Sequence, residues 1–104
     1  MAEITVGKGK GRWPICIDDD DVGAVYKEYG GGGIHDCWYY VSIIGADVDS
    51  IVGDSIKEMR KVVPGELINV RDEILSQLQE RLDTAMRTVE MYSRLIESWK
   101  RVGD

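Results

Sequence analysis

The chain has no phenylalanine, one histidine, two cysteines and two prolines among its 104 residues. A single histidine leaves little material for acid–base or nucleophilic chemistry. No Gly-x-Ser-x-Gly elbow accompanies it, so an enzyme is not expected. Two cysteines are too few for a disulfide scaffold, and they form no Cys-x-x-Cys pair of the kind zinc sites use. No apolar run approaches the ~18 residues of a membrane span. The start, Met1-Ala2-Glu3-Ile4, has no basic segment leading into an apolar one. A secretory signal is therefore not expected, and a reducing, cytoplasmic setting with free thiols is.

Basic residues are also scarce: thirteen Lys and Arg face nineteen Asp and Glu, a formal net charge of -6. Such a chain repels phosphate backbones, so direct nucleic-acid binding is disfavoured unless cations cluster locally. The one cluster is Lys8, Lys10 and Arg12. An acidic chain more readily meets basic protein surfaces. With phenylalanine absent, three tryptophans and five tyrosines supply all the aromatic area. Their polar tips suit half-wet surfaces and interfaces as well as cores.

The patterns imply an α+β fold: a small antiparallel sheet of about three strands in residues 1–45, then helices in residues 46–104, in a single domain. Trp13, Ile15 and Ile17 alternate with Pro14 and Cys16, as in a strand with one buried face. Pro14 cannot donate to a ladder and points to an edge strand or a strand start. Residues 22–29 and 34–44 flank Gly30-Gly31-Gly32-Gly33 and read as a hairpin with Tyr29 opposite Ile34 and Tyr26 opposite Cys37. The second of these strands is apolar on both faces, with Cys37, Tyr39, Val41 and Ile43 against Trp38, Tyr40 and Ile44. A strand of that kind is covered on both sides. One face can take the helices; the other needs more protein than so short a chain supplies.

Asp47 reads as the N-cap of a short helix carrying Val48, Val52, Ile56, Met59 and Val63, terminated by Pro64-Gly65. Beyond it, residues 66–102 contain neither Pro nor Gly. Apolar positions recur at Ile68, Leu75, Leu78, Leu82, Ala85, Val89, Tyr92, Ile96 and Trp99, with Arg71 the misfit of the seam. Asp83/Arg87, Glu90/Arg94 and Glu97/Arg101 are i,i+4 pairs with the acid first, the mark of a solvated face. One long amphipathic helix follows from these two patterns. At 1.5 Å per residue it is a rod of roughly 54 Å, against a radius of gyration of about 13 Å for a domain of this size. The expected consequence is self-association as a homodimer through Leu78, Leu82, Val89, Tyr92, Ile96 and Trp99.

Three short motifs remain. Gly7-Lys8-Gly9-Lys10-Gly11-Arg12 satisfies neither phosphate-loop pattern and reads as a hairpin loop. Asp18, Asp19, Asp20 and Asp21 begin like a calcium loop but lack its later ligands, Tyr29 standing where a bidentate Glu belongs. As a functional site they read as a carboxylate cluster that docks on a basic partner. Cys16, His35 and Cys37 are a loose candidate set for metal or redox chemistry. The function expected is that of a non-enzymatic, cofactor-free interaction or regulatory protein that binds a basic protein partner. One concrete form is an inhibitor occupying the positive groove of a nucleic-acid-binding protein, as acidic phage-encoded inhibitors do. The alternatives are a small metal- or redox-linked accessory protein and a subunit of a larger complex.

Overall fold

The computed structural model describes residues 2–29, 37–48 and 51–102. Within them an antiparallel meander runs β1 (Ile4–Val6), β2 (Arg12–Ile17), β3 (Asp20–Tyr29), β4 (Cys37–Ile43) and β5 (Val52–Gly53), each strand beside the next. Three helices follow: α1 (Ile56–Asn69), α2 (Arg71–Thr84) and α3 (Val89–Lys100). The fold class is α+β, but the sheet has five strands where about three were expected, and no single long helix forms. β5 carries the sheet past residue 45, into the part expected to be helical.

Alternation decides which way each strand faces. Trp13, Ile15 and Ile17 of β2, Val25 of β3 and Tyr39, Val41 and Ile43 of β4 all join the core cluster. The hairpin register differs from the expected one: Tyr29 lies opposite Cys37 and Tyr26 opposite Tyr40, a shift of three residues. An odd shift exchanges the faces of β4 relative to β3. The expected register would set Val25 opposite Trp38; the observed one sets it opposite Val41, so both valines are buried. Residues 30–36, with the glycine run and His35, lie outside the described residues.

Pro14 occupies an internal strand, contrary to the edge expectation, and the ladder explains how. Gly7 N–H donates to Pro14 O at 2.8 Å. The reciprocal bond, which Pro14 cannot donate, would have used the Gly7 carbonyl. Arg60 takes that carbonyl instead, Nη2 standing 3.1 Å from Gly7 O and Nε 3.5 Å from Val6 O. One guanidinium thus shields the end of the β1 edge. α1 touches β1 at one edge of the sheet and β4 and β5 at the other, so it spans the opening of a curled sheet.

The helix boundaries depart from the expected ones for identifiable reasons. Ser55, not Asp47, caps α1: its Oγ accepts from Glu58 N–H at 3.1 Å, and Glu58 Oε2 accepts from Asp54 N–H at 3.0 Å. Asp47 is held instead by the Gln77 amide, which accepts from its N–H and donates to its carbonyl, both at 2.7 Å. Pro64-Gly65 does not end the helix, because α1 runs on through both to Asn69. An interior proline costs about 3 kcal/mol. Met59, Val63 and Leu67, all fully buried, offset this at about 1.5–3 kcal/mol each.

The rod expected over residues 66–102 is broken twice, at Val70 and between Thr84 and Val89. The molecule's longest extent is 44 Å, shorter than the rod would be. α2 and α3 fold against one another, and Leu78, Leu95, Ile96 and Trp99 enter the same core as the sheet. Leu82, Ala85 and Tyr92 are half-buried, and Val89 is 46% exposed. The seam that argued for self-association is therefore mostly the chain's own core. Arg71, the misfit, serves the fold. Its Nε and Nη2 donate to the carbonyls of Trp99 and Lys100, both at 2.9 Å, closing the C-terminal end of α3. Among the three i,i+4 pairs only Glu90–Arg94 closes, at 2.8 Å.

Candidate functional site

With the helices packed on one side of the sheet, the opposite side carries its own row of large side chains. Arg12 lies opposite Tyr26, Tyr26 opposite Tyr40, and Tyr40 opposite Val52. This is one line across four strands. In the adjoining row Glu28 lies opposite Trp38. None of these residues belongs to the core or packs against it. Val52 is 54% exposed and Trp38 37%, while Tyr26 and Tyr40 are half-buried by one another.

The row is ordered by its own contacts. The Tyr26 and Tyr40 rings stack at 5.7 Å between centroids, inclined by 26°. The Arg12 guanidinium lies 6.0 Å from the Tyr26 ring centroid, and its Nε donates to Tyr26 Oη at 3.2 Å. Asp21 Oδ2 stands 3.5 Å from Arg12 Nη2 and balances the charge. The result is a pre-arranged aromatic surface with carboxylates, Asp21 and Glu28, along its margin. Tyr, Trp and Arg are the residue types that most often carry binding energy at protein interfaces: Tyr and Trp bury much area for few rotatable bonds, and the planar Arg guanidinium both stacks and hydrogen-bonds. The apolar pattern of β4 pointed to this surface; the partners of Tyr40 on β3 and β5 were not readable without the register.

No protein-family model, curated protein or solved structure matches this chain. What the surface can bind follows from its own chemistry.

The aspartate run forms the β2–β3 turn. Ile17 pairs with Asp20, leaving Asp18 and Asp19 as the turn residues, and Asp18 adopts φ 54°. Asp tolerates that left-handed conformation better than most residues. Three of the four carboxylates are engaged within the chain. Asp20 Oδ2 lies 2.7 Å from Arg101 Nη2 and 3.0 Å from Ser98 Oγ. Asp18 accepts from Glu3 N–H at 3.2 Å and lies 3.8 Å from Arg101 Nε. Asp21 accepts from Gly23 N–H at 3.1 Å and pairs with Arg12. Arg101 and then Ser98 hold the Asp20 carboxyl below its ordinary range. All four are exposed, and the Asp19 carboxylate makes no hydrogen bond or ion pair within the described residues.

An open crevice of about 640 Å³ separates this turn from the start of α3. Ile44, Met91 and Leu95 contribute apolar surface, Asp19 stands among the carboxylates at the β2–β3 turn, and Arg87 and Arg94 come from the helical side. The sequence pattern did not reveal it, because it depends on the break between α2 and α3.

Cys16 and Cys37 cannot act together. Cys16 lies opposite Asp21 and Cys37 opposite Tyr29, at the two ends of β3, roughly 25 Å apart at strand rise. Both thiols are free, and burial, then Asp21, pushes the Cys16 thiol up. Among the described residues no group of His, Cys, Asp and Glu is placed to hold a metal ion, and no helix is long and apolar enough to cross a membrane. Lys8 and Lys10 are exposed on the connection between β1 and β2, as the glycine-rich motif implied.

Proposed function

We propose that this chain is a non-enzymatic protein-interaction domain that docks a basic protein partner on the outer face of its sheet. The observation that carries the reading is the row Arg12–Tyr26–Tyr40–Val52, with Trp38 beside it, outside the chain's own core. Lysine and arginine side chains of a partner match this surface twice over: their cations fit aromatic faces, and their charge fits the exposed Glu28 carboxylate. The net charge of -6 adds long-range attraction to such a partner. The aspartate run contributes less than its composition promises, since three of its four members are committed within the fold. An inhibitor that covers a nucleic-acid-binding groove is one form this function takes.

The test is capture from native lysate with the wild-type chain and with a Trp38→Ser/Tyr40→Ser variant, each challenged with rising salt. A basic protein retained by the wild type, released by salt and absent from the variant supports the reading. Identical capture by both chains removes it.

A further inference from the structure

Four of the exposed apolar residues gather at one place in the fold. Met86 is 94% exposed, Val89 46%, Met91 41% and Ile44 36%. Met86 and Val89 belong to the tight α2–α3 connection and the first residue beyond it, and Met91 and Ile44 line the crevice beside it. A methionine this bare at the tip of a helical hairpin gains nothing within the monomer. Its flexible thioether suits insertion into an irregular apolar recess.

The same crevice holds two unspent charges of opposite sign. Asp19 stands on the sheet side and Arg87 on the helical side, both exposed, and neither makes a hydrogen bond or ion pair within the described residues. Neighbouring charges are used: Asp20 and Asp21 are bound to Arg101 and Arg12, and Arg94 to Glu90. A recess with a free anion on one side and a free cation on the other complements itself. A two-fold axis lying along the crevice sets each side against the opposite side of a second copy. Such a contact is isologous: one patch, used twice.

We infer that this crevice is the interface of a symmetric homodimer, with Met86 of each copy seated in the other's recess and Asp19 of each paired with Arg87 of its partner. Self-association then runs through the α2–α3 connection, not through a continuous helical seam. The inference is independent of the sheet-face reading, which uses other residues, and either can fail alone. The dimer presents two aromatic sheet faces to partners, so a binding target with two sites is held more tightly than by one copy.

Sedimentation velocity on the full chain across a wide concentration range tests the inference. The wild type is expected to show reversible monomer–dimer exchange. Met86→Asp is expected to remain monomeric. Asp19→Arg and Arg87→Asp each weaken dimerisation by about tenfold or more, since each sets like charges together. Asp19→Arg/Arg87→Asp restores it, because the exchanged charges again meet their opposites. All three substitutions fall on exposed positions, and circular dichroism of each of the four variants verifies the fold. A wild type that stays monomeric throughout overturns the inference. So does a double variant no better than the single ones, since dimerisation through another surface leaves the swap without effect.

Discussion

Arg101 Nη2 lies 2.7 Å from Asp20 Oδ2, a pair 81 residues apart in sequence that fastens the end of α3 to the β2–β3 turn. Ser98 Oγ reaches the same oxygen at 3.0 Å. Both contacts stabilise the charged carboxylate, so its folded pKa falls below the ordinary 3.8. A depressed carboxyl contributes stability that is fully present above its unfolded value and is lost as pH falls through the folded one. Asp20→Asn is therefore expected to lower the melting temperature by a few degrees at neutral pH. The gap from wild type closes as the solution is acidified below the ordinary carboxylate range. Thermal melts of the two chains along a pH series from neutral into strong acid measure it.

Trp99 is fully buried, and its indole Nε1 has no hydrogen-bond partner among the described residues. Trp99→Ala leaves a large cavity among the helices and sheet and is expected to cost about 3–5 kcal/mol. Trp99→Phe loses some packing but also removes the unpaired donor, so its cost is well under half of that. Urea unfolding of both variants, read by circular dichroism, compares the two.

Pro64 lies inside α1, where it lacks an N–H and crowds the preceding turn. Pro64→Ala is expected to stabilise the chain by about 1–3 kcal/mol. The gain stops short of the full helix penalty because alanine also frees the unfolded chain. A higher urea midpoint at unchanged slope is the readout.

Gly45 follows β4 with φ 80°, and a Cβ there would stand 2.8 Å from Leu78 Cδ2 and 2.9 Å from Tyr92 Cε1. Gly45→Ala combines backbone strain with overpacking and is expected to destabilise by about 2–4 kcal/mol. The same substitution at exposed Gly65, whose surroundings are open and which lies within α1, is expected to raise stability by up to about 1 kcal/mol. Measured side by side, the two separate local geometry from any general effect of replacing glycine.

The Cys16 thiol is raised by burial and by the neighbouring aspartates. Its alkylation by iodoacetamide at neutral pH is expected to be slower than that of the same thiol in the urea-unfolded chain, and mass spectrometry of the Cys16 peptide over time follows it.

What could be read from the sequence was the buried face of β2 and part of the apolar stripe that α2 and α3 bury. Trp13, Ile15 and Ile17 share a face as their alternation requires, and the doubly apolar β4 has one side in the core and the other bare. The helix ends were harder. Ser55-Ile56-Lys57-Glu58 is a capping box in plain view, yet Asp47 competes with it on composition alone. The break after Thr84 carries no glycine or proline. Its local cue is Thr84, whose Oγ1 bonds back to the carbonyls of Glu80 and Arg81, and the deciding influence is tertiary, the burial of Ile96 and Trp99 beside Leu78. The aspartate run drew a functional reading because charge is conspicuous, whereas three of its members serve the turn and the attachment of α3. The aromatic row was hidden because a register error of three residues places Tyr26 beside Cys37 and not beside Tyr40.

The most direct test of the sheet face is a photo-crosslinking amino acid placed at Tyr40, with a second chain carrying it at Gly65 on the exposed side of α1. Irradiation in native lysate is expected to join a lysine- and arginine-rich protein to position 40 and not to position 65. Adducts equal at the two positions, or none at position 40, would contradict docking through Tyr26, Trp38 and Tyr40.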